Sequence, residues 1–147
     1  DDHLIGFRRR LPCATRDLKT VEEALGLALP DDYLAFLQGS DGGEGFIGND
    51  YLVLWRASEI QPFNRDYEVQ ANAPGLLGFG SNGGGEMFAF DLRVSPPTVV
   101  MTPFIGMALE DAFVVAGSFV ELLQRAAGSN RLAPCPFANW ARAVDGH

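Results

Sequence analysis

The side chains that most often carry chemistry are scarce in this chain. Its 147 residues include two histidines, His3 and His147, one near each end. Terminal segments are the least constrained part of a fold, so neither histidine can act as a positioned base for a Ser-His-Asp or Cys-His arrangement in the body. The two cysteines, Cys13 and Cys135, are too few for a disulfide framework. They also lack metal-ligand spacing, which removes a structural zinc site. Each sits beside proline near an opposite end of the chain, and two reduced thiols in a cytoplasmic protein are expected rather than a bridge. Lys19 is the only lysine. A phosphate loop needs Gly-Lys-Ser/Thr, and no such triplet exists here. Long apolar runs are missing too: the uncharged stretch from Val94 to Leu109 is broken by Pro96, Pro97 and Pro103. It falls short of the roughly 20 apolar residues of a membrane helix, and no segment reads as a secretory signal. The chain does not begin with Met, so it reads as a trimmed product or fragment.

What is present points to one folded domain spanning residues 1–147. A 47% hydrophobic fraction and 11 Phe exclude disorder and are enough for one sizeable core. Acids outnumber bases by 19 to 11, a net charge of -8. Nucleic acid and anionic membranes select basic surfaces, so neither is expected as a direct ligand. The charge is uneven: from Val21 to Gln124 there are 15 acids and only Arg56, Arg65 and Arg93, while both ends are mildly basic. Such a body either keeps the domain soluble or offers an electrostatic face to a cationic protein.

The pattern along the chain alternates helix signals with strand signals. Thr20-Val21-Glu22-Glu23 matches a capping box and predicts a short helix with Val21, Ala24 and Leu25 inside, ended by Gly26. Asp31 is placed to cap a second helix whose buried stripe is Tyr33, Leu34, Phe36 and Leu37, closed by Gly39. Ser40 to Gly45 reads as a turn cluster and Tyr51 to Trp55 as a buried strand. Ser58 to Asn64 predicts a helical turn, and Arg65 to Pro74 has little pattern. Strands are predicted at Leu76–Phe79, Glu86–Leu92 and Thr98–Phe104, and a further one at Ala112–Val115. In the second of these Met87 and Ala89 face one way, Phe88 and Phe90 the other. Ser118-Phe119-Val120-Glu121 opens a closing helix, and Phe137, Trp140 and Val144 suggest another in the tail. Helices segregated from antiparallel strands give an α+β domain.

No motif specifies a reaction. Gly78-Phe79-Gly80-Ser81-Asn82-Gly83 is a literal G-x-G-x-x-G, but a dinucleotide site requires a helix after the glycines, and Glu86 to Asp91 reads as strand. The segment is a glycine-rich hairpin connection. Asp41, Glu44 and Asp50 surround a glycine-rich turn without the EF-hand spacing. No metal, no cofactor and no catalytic activity are expected. Tyr33, Phe36, Trp55, Phe88 and Phe90 are assigned to the core. Phe46, Tyr51 and Tyr67 lie near loops and are candidates for an exposed recognition surface.

The order Val21-Glu22-Glu23-Ala24-Leu25-Gly26, Leu29-Pro30-Asp31-Asp32-Tyr33-Leu34-Ala35-Phe36-Leu37, then Ser40-Asp41-Gly42-Gly43-Glu44-Gly45 resembles the amino-terminal signature of the SUKH superfamily, which includes the yeast Smi/Knr regulators of cell-wall synthesis and many bacterial proteins. The segment from Phe79 to Asp91 is similar to its glycine-then-strand region, and Ser118 to Leu123 to its closing helix. The resemblance covers about residues 18 to 127, leaving 128 to 147 as an extension. It implies a central, mostly antiparallel sheet flanked by helices. It further implies a non-enzymatic immunity protein that binds a polymorphic or contact-dependent toxin domain, often a basic nuclease, in the bacterial cytoplasm. The alternative is a regulatory or scaffolding module for other cellular proteins. Asp41, Glu44, Asp50, Glu86 and Asp91, around the two glycine-rich loops, are the expected partner-binding residues.

Overall fold

A computed structural model describes residues 7–128. The thiol of Cys135, the two histidines and the expected helix around Phe137, Trp140 and Val144 lie outside the described residues. The chain forms a seven-stranded sheet in which every neighbour is antiparallel and spatial order equals chain order. The strands are β1 (Phe7–Arg9), β2 (Gly43–Ile47), β3 (Asp50–Leu54), β4 (Leu76–Ser81), β5 (Glu86–Asp91), β6 (Thr98–Pro103) and β7 (Phe113–Ala116). The helices are α1 (Thr15–Leu25), α2 (Asp31–Gly39), α3 (Ala57–Asp66), α4 (Val69–Asn72) and α5 (Phe119–Gly128). This is the predicted α+β class with a central antiparallel sheet.

Strand alternation sorts the two faces. Phe88 and Phe90 of β5 join Leu77, Phe79, Leu52, Leu54 and Val99 in the larger core, which α1, α2 and α5 close with Leu18, Tyr33, Leu37, Phe119 and Leu122. Met87 and Ala89 point the other way, into a smaller core with Trp55, Val69, Leu76 and Val100. Tyr33 is the hub of the larger one: its ring centroid lies 5.4 Å from Phe79, 5.1 Å from Phe90 and 5.0 Å from Phe119. Each such aromatic contributes about 1.5–3 kcal/mol by leaving water. Burial raises the Tyr33 hydroxyl pKa, and its oxygen has no hydrogen-bond partner among the described residues.

Three local expectations are corrected. The helix expected at Thr20 begins at Thr15, because Leu18 extends the buried stripe one turn back. Thr20 is therefore inside α1, where its hydroxyl donates to the Arg16 carbonyl at 3.0 Å. Asp31 is the first helical residue of α2 rather than its cap; Pro30 holds that position and no side chain caps it. The turn cluster Ser40 to Gly45 ends in strand, since β2 starts at Gly43 and pairs with β1, a strand that three residues of Phe-Arg-Arg do not advertise. Glycine is required there by approach: a Cβ on Gly43 would lie 2.5 Å from the Phe7 ring and 2.6 Å from the Arg8 carbonyl oxygen.

Candidate functional site

Asn64 fixes the middle of the molecule. It is buried in α3, accepts from Gly78 N at 2.8 Å, and donates to the Gly78 and Ile60 carbonyls at 2.9 and 2.7 Å. The β4–β5 pairing shifts register between Gly78 and Gly80, and the asparagine satisfies main chain that the ladder leaves over. A cleft of about 640 Å³ between α1 and α3 is lined by Leu25, Leu27, Leu77, Leu92 and this same asparagine. Gln61, Arg65, Glu68 and Gln70 complete its polar rim, and Gln70 donates to the Leu76 carbonyl.

The turns β2–β3 and β4–β5 emerge at one end of the sheet, and there the side chains are arranged differently. Asn82 organises the second turn. Its Oδ1 accepts from Gly84 N at 2.9 Å and from Glu86 N at 3.3 Å, and its Nδ2 donates to Glu86 Oε1 at 3.1 Å. Gly83, at φ 79°, lies against Tyr51 so closely that a Cβ would meet the ring at 2.7 Å. Phe46 sits opposite Tyr51 across the β2–β3 ladder, edge to face with a centroid separation of 5.1 Å, and 54% of it is exposed. Tyr51 donates to Glu44 Oε2 at 2.5 Å, and that bond to a carboxylate is the main reason its hydroxyl pKa is raised. Between the turns is a depression of about 210 Å³ walled by Phe46, Asn49, Asp50, Tyr51, Asn82 and Glu86.

The five acids named from sequence therefore divide. Asp50 and Glu86 face this depression together, and Glu44 stands beside it through Tyr51. Glu44 is partly neutralised by Arg8 and Arg10, at 3.8 and 3.9 Å. Asp41 is elsewhere: its Oδ1 accepts from Ala57 N at 2.8 Å and so caps α3 from 16 residues away. Asp91 lies at the far end of β5, about 16 Å from Glu86 at strand rise. It is buried, accepts from the Arg93 backbone N at 3.0 Å, and holds the Arg93 guanidinium at 2.9 and 3.0 Å. Sequence reasoning missed Asn82 and the two arginines. The glycine-rich run marked a hairpin connection, but nothing local showed the Asn82 amide clasping Glu86.

Among the described residues no group of three or more His, Cys, Asp or Glu is placed to hold a metal ion, and no helix is long and apolar enough to cross a membrane. An exposed ring on a fixed tyrosine, next to carboxylates, suits a cationic side chain of another protein. No curated protein matches the chain. A model of the SMI1 / KNR4 family (SUKH-1) matches residues 12–125, most of the chain and nearly all of the sheet just described, and the protein belongs to that family.

Proposed function

We propose that this protein is an immunity-type binding domain that neutralises a cognate toxin domain in the bacterial cytoplasm without catalysis of its own. Domains of this family are generally non-enzymatic binding modules, and its members bind protein partners. The observation that carries the reading is the exposed Phe46, set on Tyr51 beside Asp50, Glu86 and Glu44 at the open end of the sheet. Aromatic anchors ringed by charge are where binding energy concentrates in protein interfaces. The acidic body around them speeds encounter with a basic partner and disfavours acidic ones. Asp41 and Asp91 lie away from this end: the first accepts from Ala57 N, and the second is paired with the Arg93 guanidinium.

The test is to sequence the genes beside this one and co-express the chain with any toxin domain found there. A one-to-one complex by light scattering, with loss of the toxin's activity, is expected. Two purified proteins that remain separate at micromolar concentration would remove this reading and leave a regulatory module for other cellular proteins.

A further inference from the structure

The two edges of the sheet are finished differently. At one, β1 carries Arg8 and Arg9 and runs into Arg10. Charge on an edge strand is a common guard against pairing with another chain. At the other, β7 is Phe113-Val114-Val115-Ala116, with no charge and no proline. Both faces of β7 are already packed: Val115, Ala116 and Phe113 against the larger core, Val114 against the smaller. Its inner edge is paired to β6, with Met101 opposite Phe113 and Val99 opposite Ala116. Its outer edge has no backbone bond to any other described strand or loop. What is left open is main chain, and in an antiparallel sheet alternate residues turn their N–H and C=O outward.

Charge decides what fits. Glu110 and Asp111, both exposed, lie just before β7, separated from it by Ala112. Glu121 closes its other end, accepting from Gly117 N. An isologous pairing of β7 with a second copy would set Glu121 of each chain against Glu110 and Asp111 of the other. Arg125, the base closest in sequence, is in the second turn of α5. A strand with apolar residues followed by Lys or Arg, laid antiparallel, places its bases beside Glu110 and Asp111 instead.

The geometry points to β7 as a strand-accepting edge for an extended apolar segment of a protein partner that ends in basic residues. This rests on the reading that the domain binds a protein, and deepens it with a second contact surface. Main-chain bonds supply the affinity and the flanking acids the direction.

The edge is tested on the full chain with two synthetic probes, Thr-Val-Thr-Val-Thr-Lys-Lys and the same peptide ending in Glu-Glu. The lysine peptide is expected to bind about fivefold more tightly, as two exposed ion pairs allow. It should also slow amide exchange at residues 113–116. Glu110→Lys with Asp111→Lys, two exposed changes, should invert the preference. Equal affinities, no inversion, or unchanged exchange at 113–116 would overturn the proposal. A dimer of the free chain with those amides protected would assign the edge to a second copy and overturn it too. In the toxin complex the same amides should slow; a complex that forms without slowing them leaves the binding reading standing and removes the edge. Absence of a toxin complex counts against the binding reading, while the peptide results still decide the edge.

Discussion

The open turn end of the sheet and its anchored interior use the same residue type for opposite purposes. Around the two turns, Asp50 and Glu86 border a depression with Phe46 exposed beside them. Farther in, Asp41 caps α3, Asp32 Oδ2 accepts from Val120 N at 2.9 Å at the start of α5, and Asp91 holds Arg93. Acidity alone therefore does not mark a binding face. A carboxylate whose oxygens are taken by main-chain N–H groups at a helix start or strand end supports the fold. Glu86, tied among the described residues only to the neighbouring Asn82 amide, borders the depression beside an exposed ring. Substitutions should separate the two sets: at the anchored positions stability falls, and at the turn end binding falls while stability holds.

The largest effect is expected at Asn64. Asn64→Ala removes both sides of its exchange with Gly78 and leaves a buried N–H and C=O without partners. At about 1–3 kcal/mol for each of the two unsatisfied groups, a loss of about 2–6 kcal/mol is expected. Urea unfolding should show a lower midpoint with an unchanged slope. A loss below about 1 kcal/mol would mean the β4 irregularity is not held by this side chain.

A pH dependence follows at the same interior. Burial first, then the nearby Asp41 and Asp17 charges, raise the Cys13 pKa from its ordinary 9.0 to about 11. The unfolded chain therefore releases this proton at lower pH than the folded one. The stability contribution is complete below about pH 9, falls as pH rises toward about 11, and is level above that. Cys13→Ala should remove this component from the stability curve between those limits, read as the difference from the parent protein in urea titrations. A difference that does not change with pH would show the thiol to be better solvated than its burial indicates.

Asp41→Ala comes next, at about 1 kcal/mol, the usual size of a lost helix cap. Asp41→Asn, which keeps an acceptor oxygen, should recover most of it. Equal losses for the two would mean that charge, not the bond to Ala57, is what matters.

Much of the framework was legible because it is local. The alternation Met87-Phe88-Ala89-Phe90 gave both faces of β5, and the stripe of Tyr33, Phe36 and Leu37 gave the buried side of α2. The failures are places where a distant contact decides. Thr20-Val21-Glu22-Glu23 has the letters of a capping box, but Leu18 pulls the helix start back to Thr15. Gly43 and Gly45 look like turn residues, and become strand because Phe7 and Arg8 pack against the first of them. The division of the acids was illegible for the same reason: Asp41 meets Ala57 across 16 residues, and Asp32 meets Val120 across 88. The exposure of Phe46 and Tyr67 was legible from their places beside loops.

The smallest change in stability, and the sharpest use of the comparison, is at the turn end. Phe46→Ala removes a ring that is 54% exposed, and Glu86→Gln keeps an oxygen for the Asn82 amide. Surface changes of this kind move stability by about 0.5 kcal/mol or less. If this end is the recognition surface, Phe46→Ala should weaken the toxin complex by at least about tenfold, as removal of an aromatic anchor does. Glu86→Gln should instead mainly lower the association rate and flatten its dependence on salt, because a rim charge acts through encounter more than through lifetime. Asp41→Asn, with the same change of net charge, serves as the control. A parallel loss of association rate in that variant would assign the effect to the summed field of the acidic body. A loss confined to Glu86→Gln would assign it to the depression between the two turns.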